Sequence, residues 1–273
     1  MQRTLLASLI LVLPALSLSG PAQALQIADG LEISGNVQNQ SSYRVSNPDD
    51  WSKIRDSAAL KTLYTYDDAL SAFLNVRYYY DSVYDANDEY SAAAAHDLRR
   101  PRESWDWLRE CYGDYDSDLL DARLGRQTVV WGTADGVKVL DVVCPMDMRE
   151  FTTAPFDESR IPLWMGKVEI SPKLNATLQA LLIPWNFEAN YIPPDGSPWT
   201  FRATRIGAQS VAGLARMGYR IRSVDAEPAD VFENAKFGFR WLDVIGNFEY
   251  TLNYLQGYNI SSVTDVAVDT STA

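Results

Sequence analysis

The spacing of its connections constrains this chain more than any other feature. Runs in which apolar and polar residues alternate recur along it, and a period of two marks β-strands with one apolar and one wet face. Leu31, Ile33, Gly35 and Val37 point one way, and Glu32, Ser34, Asn36 and Gln38 the other. Leu74, Val76, Tyr78 and Tyr80 oppose Asn75, Arg77 and Tyr79. Phe248, Tyr250, Leu252 and Tyr254 oppose Glu249, Thr251 and Asn253. Nine strands are expected, over 31–44, 58–67, 70–81, 105–115, 119–131, 162–170, 174–185, 234–242 and 247–258. Tight turns at Tyr66–Ala69, Asp116–Asp118, Ser171–Lys173 and Asp243–Gly246, rich in turn residues, alternate with long segments at 45–57, 82–104, 132–161 and 186–233.

That parity matches the sidedness of an outer-membrane barrel, with short periplasmic turns and long outside loops. A soluble two-sheet sandwich with one wet face per sheet competes, but has no reason to keep the parity over nine strands. A soluble barrel would fill with apolar core the face that is polar here. The expected fold is all-β, an antiparallel transmembrane β-barrel of porin-like type. Tyr43, Tyr80, Trp105, Trp131, Trp164, Trp185, Trp241 and Tyr258 lie near strand ends, as interfacial girdles require. The composition is unusual in the same sense: 15 Tyr and 8 Trp in a chain of mean hydropathy −0.20 suit an apolar outside and a wet inside. A membrane barrel must close and single bacterial chains use even strand counts. The expected barrel is therefore incomplete in this chain, which reads as the N-terminal part of a longer protein, with homodimeric closure as the alternative.

Residues 1–24 read as a secretory signal peptide, with Arg3, an apolar run Leu5–Leu18 broken by Pro14, and Ala22-Gln23-Ala24 as a cleavage site. The run is too short for a membrane anchor. The barrel then occupies 25–273, and the destination is the outer membrane of a Gram-negative bacterium, in contact with outer-membrane lipid and lipopolysaccharide. A net charge of −12 makes nucleic acid a poor partner, because phosphate binding needs clustered Lys and Arg. One histidine, His96, and two cysteines supply neither a multi-His nor a four-Cys metal site. No nucleotide-binding or nucleophile-elbow motif is present, so no cofactor is expected. His96 follows four alanines and reads as a surface residue. Asp49-Asp50, Asp67-Asp68 and Asp88-Glu89 lack calcium-loop spacing and read as solvated faces.

The segment 132–161 is longer than a structureless loop should be and carries its own apolar residues, Val137, Val139, Leu140, Val142, Val143 and Phe151. It is expected to fold inward and narrow the barrel, with a short helix over Pro145–Phe151. Its acids Asp135, Asp141, Asp147, Glu150, Asp157 and Glu158 would face basic wall residues such as Arg123, Arg126 and Lys167 in a transverse field that selects solute. Gln127 and Glu169 complete the candidate constriction. The competing role for Arg149, Glu150 and Arg160 is to pin the loop to the wall. Cys111 and Cys144 both enter an oxidising compartment. A bridge would tether the loop to the fourth strand, unless Cys111 faces lipid with Gly113 and Tyr115.

The most distinctive stretch runs from Leu108–Tyr112 through ARLGRQTVVWG at Ala122–Gly132, then Ala134–Gly136, Asp141–Pro145, Met146–Phe151 and Asp157–Met165. It resembles the bacterial outer-membrane family known as domain of unknown function 1302, which is distantly similar to alginate-export-type porins. The resemblance covers about 105–170, and the family's pattern has small or polar residues where Cys111 and Cys144 stand. It implies an outer-membrane conduit for a small, hydrophobic or lipid-like solute, working with an inner-membrane exporter and a periplasmic lipid carrier. The expected function is a passive channel or export conduit and not an enzyme. An outer-membrane enzyme or surface adhesin on the same scaffold is the alternative.

Overall fold

The computed structural model describes residues 25–45, 49–132, 140–150, 157–173, 176–184, 190–200 and 232–259, with isolated positions between 206 and 217. The expected signal peptide, Asp135 and Trp185 lie outside the described residues. Ten strands form one antiparallel sheet: β1 Leu25–Ala28, β2 Leu31–Arg44, β3 Asp50–Thr65, β4 Leu70–Asp81, β5 Leu108–Tyr115, β6 Leu120–Gln127, β7 Leu163–Lys173, β8 Ala176–Ile183, β9 Lys236–Ile245 and β10 Phe248–Gln256. They pair in sequence order, an unbroken meander with β1 and β10 at its edges. Among the described residues the sheet is open. The fold is all-β, and no described helix is long and apolar enough to cross a membrane.

Local chemistry sets the turns. Asp67 Oδ1 accepts from the amides of Ala69 at 2.9 Å and Leu70 at 2.7 Å, an Asx turn that closes the β3–β4 hairpin. Ser117 Oγ does the same for β5–β6, accepting from the Leu120 amide at 3.2 Å. Three expectations need correction. Residues 25–28 form a further strand, β1, paired to β2. The long segment expected over 45–57 is mostly strand, since β3 begins at Asp50. Trp105 lies in a short helix and β5 begins at Leu108. The alternation of short and long connections survives at the segments 82–107, 128–162 and 184–235.

The two faces of the sheet differ in chemistry one residue apart. Leu120↔Ile170, Ile170↔Leu178, Leu178↔Trp241 and Trp241↔Leu252 make an apolar row across five strands. The adjacent row, Asp121↔Glu169, Glu169↔Gln179, Gln179↔Arg240 and Arg240↔Asn253, is polar throughout. The apolar face is bare: Val37, Leu124 and Leu252 are exposed at 86, 75 and 65 %.

The polar face is covered in part. The connection 82–107 carries three short helices, α1 Val83–Ala86, α2 Ala92–Leu98 and α3 Ser104–Trp107. Ser91 caps α2 by accepting from the Ala94 amide at 3.1 Å. Val83, Tyr84, Ala94 and Leu98 form a small core with Trp199 against it. The connection 128–162 leaves β6 after a kink at Gly125, whose φ of +139° excludes a side chain: a Cβ there would stand 2.3 Å from the Cys111 carbonyl oxygen. The chain then crosses to β8 and β9. Trp131 packs on Gly238, where a Cβ would meet its ring at 2.9 Å, and its Nε1 donates to Gln179 Oε1 at 2.6 Å. Val129, Trp131, Val143, Cys144, Leu163, Met165, Leu181 and Ile183 close into a buried core. The expected girdle therefore loses Trp105 and Trp131, both buried, because the chain turns inward before reaching the rim. Tyr43, Tyr80, Trp164 and Tyr258 are exposed.

Candidate functional site

The polar face and the segment laid over it form the candidate site. Backbone pairing fixes the segment's shape. Met146 bridges Arg160 and Asp147 bridges Tyr191, with Asp147 N donating to Ser159 O at 2.6 Å and Met148 N to Tyr191 O at 2.9 Å. This ribbon replaces the short helix expected at Pro145–Phe151, of which Phe151 lies outside the described residues. Backbone groups that a helix would have satisfied internally pair here with two other chain segments.

Three arginines hold the ribbon. Arg149 donates from Nε to Asp147 Oδ1 at 2.8 Å, from Nη2 to Asp106 Oδ1 at 2.5 Å and from Nη1 to the Asp97 carbonyl at 2.8 Å. Its guanidinium lies over the Trp105 ring at 4.7 Å, which ties the ribbon to α2 and α3. Arg160 donates to Asp141 Oδ2 at 2.6 Å and Asp157 Oδ1 at 2.5 Å. Arg109, from β5, donates to the carbonyls of Glu158 at 2.9 Å and Arg160 at 2.6 Å. Burial opposes the charge on Arg149, but the hydrogen bonds and charges of Asp147 and Asp106 hold its pKa above the ordinary value. Burial likewise works against ionised Asp147, and Arg149 more than offsets it, so its carboxyl sits below the usual range.

The loop acids meet a different wall from the one expected. Glu150 forms ion pairs with Lys53 and Arg55 of β3, and Glu158 pairs with Arg77 of β4 at 2.9 Å. Arg55 also reaches Asp81 at 3.4 Å. Arg123, Arg126 and Lys167 have nearer partners. Arg123 holds Asp114 with two hydrogen bonds of 2.6 and 3.0 Å, Lys167 pairs with Glu169 at 2.8 Å, and Arg126 donates to Ser104 Oγ at 3.1 Å. For Arg123 and Lys167, a partner across the ladder or two positions along the strand outcompetes one on a loop. Gln127 is buried and donates to the Met165 carbonyl at 3.1 Å. The structure thus brings together Asp147, Arg149, Glu150, Asp157, Arg160 and Asp141. It separates them from the Arg123, Lys167 and Glu169 group, which lies further along the polar face.

No disulfide joins Cys111 and Cys144. Cys111 pairs with Leu74 in the apolar face, whereas Cys144 lies in the core on the other side of the sheet, its Sγ accepting from the Val129 amide at 3.4 Å. His96 is exposed, with Nδ1 2.9 Å from Asp97 Oδ1. Asp50 takes up a structural role, accepting from Asn87 at 2.5 Å.

Lys53, Arg55, Arg77, Arg109 and Asp106 are the participants that strand-by-strand reading overlooks. Arg77 stands on a polar position of a clearly alternating strand, which was the available signal. Lys53 and Arg55 gave none. Near the rim even the outward positions are polar, with Asn39 donating to Asp56 at 2.7 Å, so the alternation fades there.

A family model described as a protein of unknown function (DUF1302) matches residues 47–260. The chain belongs to that family. No curated protein matches it. The DUF1302 match begins just before β3 and ends just after β10, so it takes in the polar face from β3 onward, both anchored connections and every ion pair described above.

Proposed function

We propose that this DUF1302 protein is a channel-forming component of the outer membrane, its ten strands forming part of a barrel wall and segment 128–162 its constriction. The observation that carries the reading is the opposition of the two faces. One is bare and apolar along most of its length, and the other is polar and bears a connection pinned by buried ion pairs. A sheet facing lipid outside and water inside needs that opposition, and a soluble sheet exposing so large an apolar face would aggregate. The open edges of β1 and β10 would be paired in the membrane, by further strands or by a second copy, since lipid offers backbone groups no partners. The channel is passive, and any driving force comes from an inner-membrane exporter, with a periplasmic lipid carrier as the family resemblance implies. An enzyme or adhesin on the same scaffold would not need an inward-folded connection.

Planar-bilayer conductance of the full-length protein tests this. The channel reading expects discrete openings whose conductance rises when residues 133–157 are replaced by a short Gly/Ser linker. A folded, membrane-inserted protein without openings, or one whose conductance ignores that replacement, contradicts it.

A further inference from the structure

The chain is strongly acidic, with net charge −12, yet a cavity on its polar face is walled by cations. A cavity of about 160 Å³ lies between β2–β5 and the ribbon, lined by Arg55, Lys61, Arg77 and Arg109 but by one carboxylate, Glu158. Lining by Asn36, Gln38, Asn75 and Tyr79 adds amide and phenol groups able to donate.

The ion pairs do not consume all of this positive charge. Glu158 answers Arg77, and Glu150 and Asp81 answer Lys53 and Arg55. Arg109 is buried, and the hydrogen bonds of its guanidinium go to the backbone carbonyls of Trp105, Glu158 and Arg160, which supply no negative charge. Lys61 is exposed toward the same space and has no hydrogen bond or ion pair among the described residues. Two further acids stand on this face and neither pairs with these cations: Glu110 opposes Asn75 and accepts from the Thr128 amide at 3.4 Å, and Glu32 lies diagonal to Lys61 on β2, opposite Leu63. Two cations beside a polar cavity thus remain without a carboxylate.

Resting on the channel reading, we propose that this cavity is an oxyanion subsite in the solute path, built to take a carboxylate or phosphate group. Arg77 supplies a planar fork suited to two oxygens, Lys61 a mobile point charge, and Arg109 a fixed positive field from behind. A hydrocarbon solute would gain nothing there and would strand the polar lining. Charged rings at a narrow point set ion preference in pores, so the subsite makes the pore prefer anions despite the acidity of the chain.

The test is the reversal potential of the full-length protein in a KCl gradient, with acetate and inorganic phosphate added in turn as blockers of the chloride current. Wild type is expected to prefer chloride. Lys61→Glu should cut the chloride-to-potassium permeability ratio by about fivefold, the effect of reversing a unit charge at roughly 8 Å in a water-filled pore, and Lys61→Gln by about twofold. Lys61 is exposed, so both variants keep the fold, and heat-modifiable migration verifies it. Block by phosphate alone assigns a phosphoryl group, and equal block by acetate assigns any oxyanion. Potassium preference in wild type, or a ratio indifferent to both variants, overturns the subsite while leaving the channel intact. If no current appears at all, the channel reading falls, and calorimetric binding of phosphate and acetate to the purified full-length protein decides the subsite alone: binding weakened by Lys61→Glu keeps it, and no binding removes it.

Discussion

The inward connection is attached to the sheet in two ways, and they are not equivalent. Over β6–β9 it is glued by a dry core around Trp131, Val143 and Leu181. Over β3–β5 the same connection is held by charge, through Glu150 on Lys53 and Arg55 and Glu158 on Arg77, and a cavity is left beside the contact. Apolar burial is non-directional and closes space, whereas ion pairs need room for geometry and partners. The dry half fixes where the connection sits. The charged half leaves an opening and gives it a sign.

Each half makes its own prediction, and the largest belongs to the dry one. Trp131→Ala should cost about 3–5 kcal/mol of folding stability, read by denaturant unfolding in detergent, because it empties the centre of the core and strands Gln179. A loss below about 1 kcal/mol would mean that the charged half alone holds the connection. Next is the contrast between the two faces. Leu252→Arg on the bare face should cost about 2–4 kcal/mol at mid-membrane depth, and Thr251→Arg on the polar face far less; equal costs in lipid vesicles would erase the distinction between the faces. Glu150→Gln should then cost about 1–3 kcal/mol, moderated because Arg55 keeps Asp81 and Lys53 keeps Gln40 at 3.3 Å. Its signature is a connection loosened over β3 and unchanged over β8, which hydrogen exchange resolves. The smallest effect is that of acid. Because the Asp147 carboxyl is held below its usual range, its contribution is fully present above the ordinary carboxyl pKa of about 4 and disappears as pH falls further, through the lowered value. Protection of the ribbon amides should thus persist at pH 5 and fail in stronger acid, and Asp147→Asn should remove that step.

The strands were legible because a sheet with one apolar and one polar face writes period two into the sequence, and β4, β9 and β10 carry it plainly. Of the apolar residues that marked 132–161 as a packed segment, Val143 lies in the core, whereas Leu140 and Val142 are exposed. What resisted reading was set by distant partners. Trp131 looks like a girdle residue until Gly125 turns the chain inward and Gly238 offers it a bare backbone. Arg123 and Lys167 look like constriction charges until Asp114 and Glu169, beside them on the sheet, take them. Glu150 finds its cations almost a hundred positions earlier in the chain, on a stretch of β3 whose rim position hides the alternation. Pairings of that kind depend on register and curvature, which no local pattern records.

The central claim is that one face of this sheet meets lipid and the other water. Single cysteines along β10 test it most directly, at Thr251, Leu252, Asn253 and Tyr254, with Cys111 replaced by Ser and Cys144 kept in its core, probed in intact outer membranes with a water-soluble maleimide and a bilayer-embedded quencher. Labelling at 251 and 253 with quenching at 252 and 254 is the predicted result. Water-soluble labelling at all four positions alike would contradict a membrane-spanning wall.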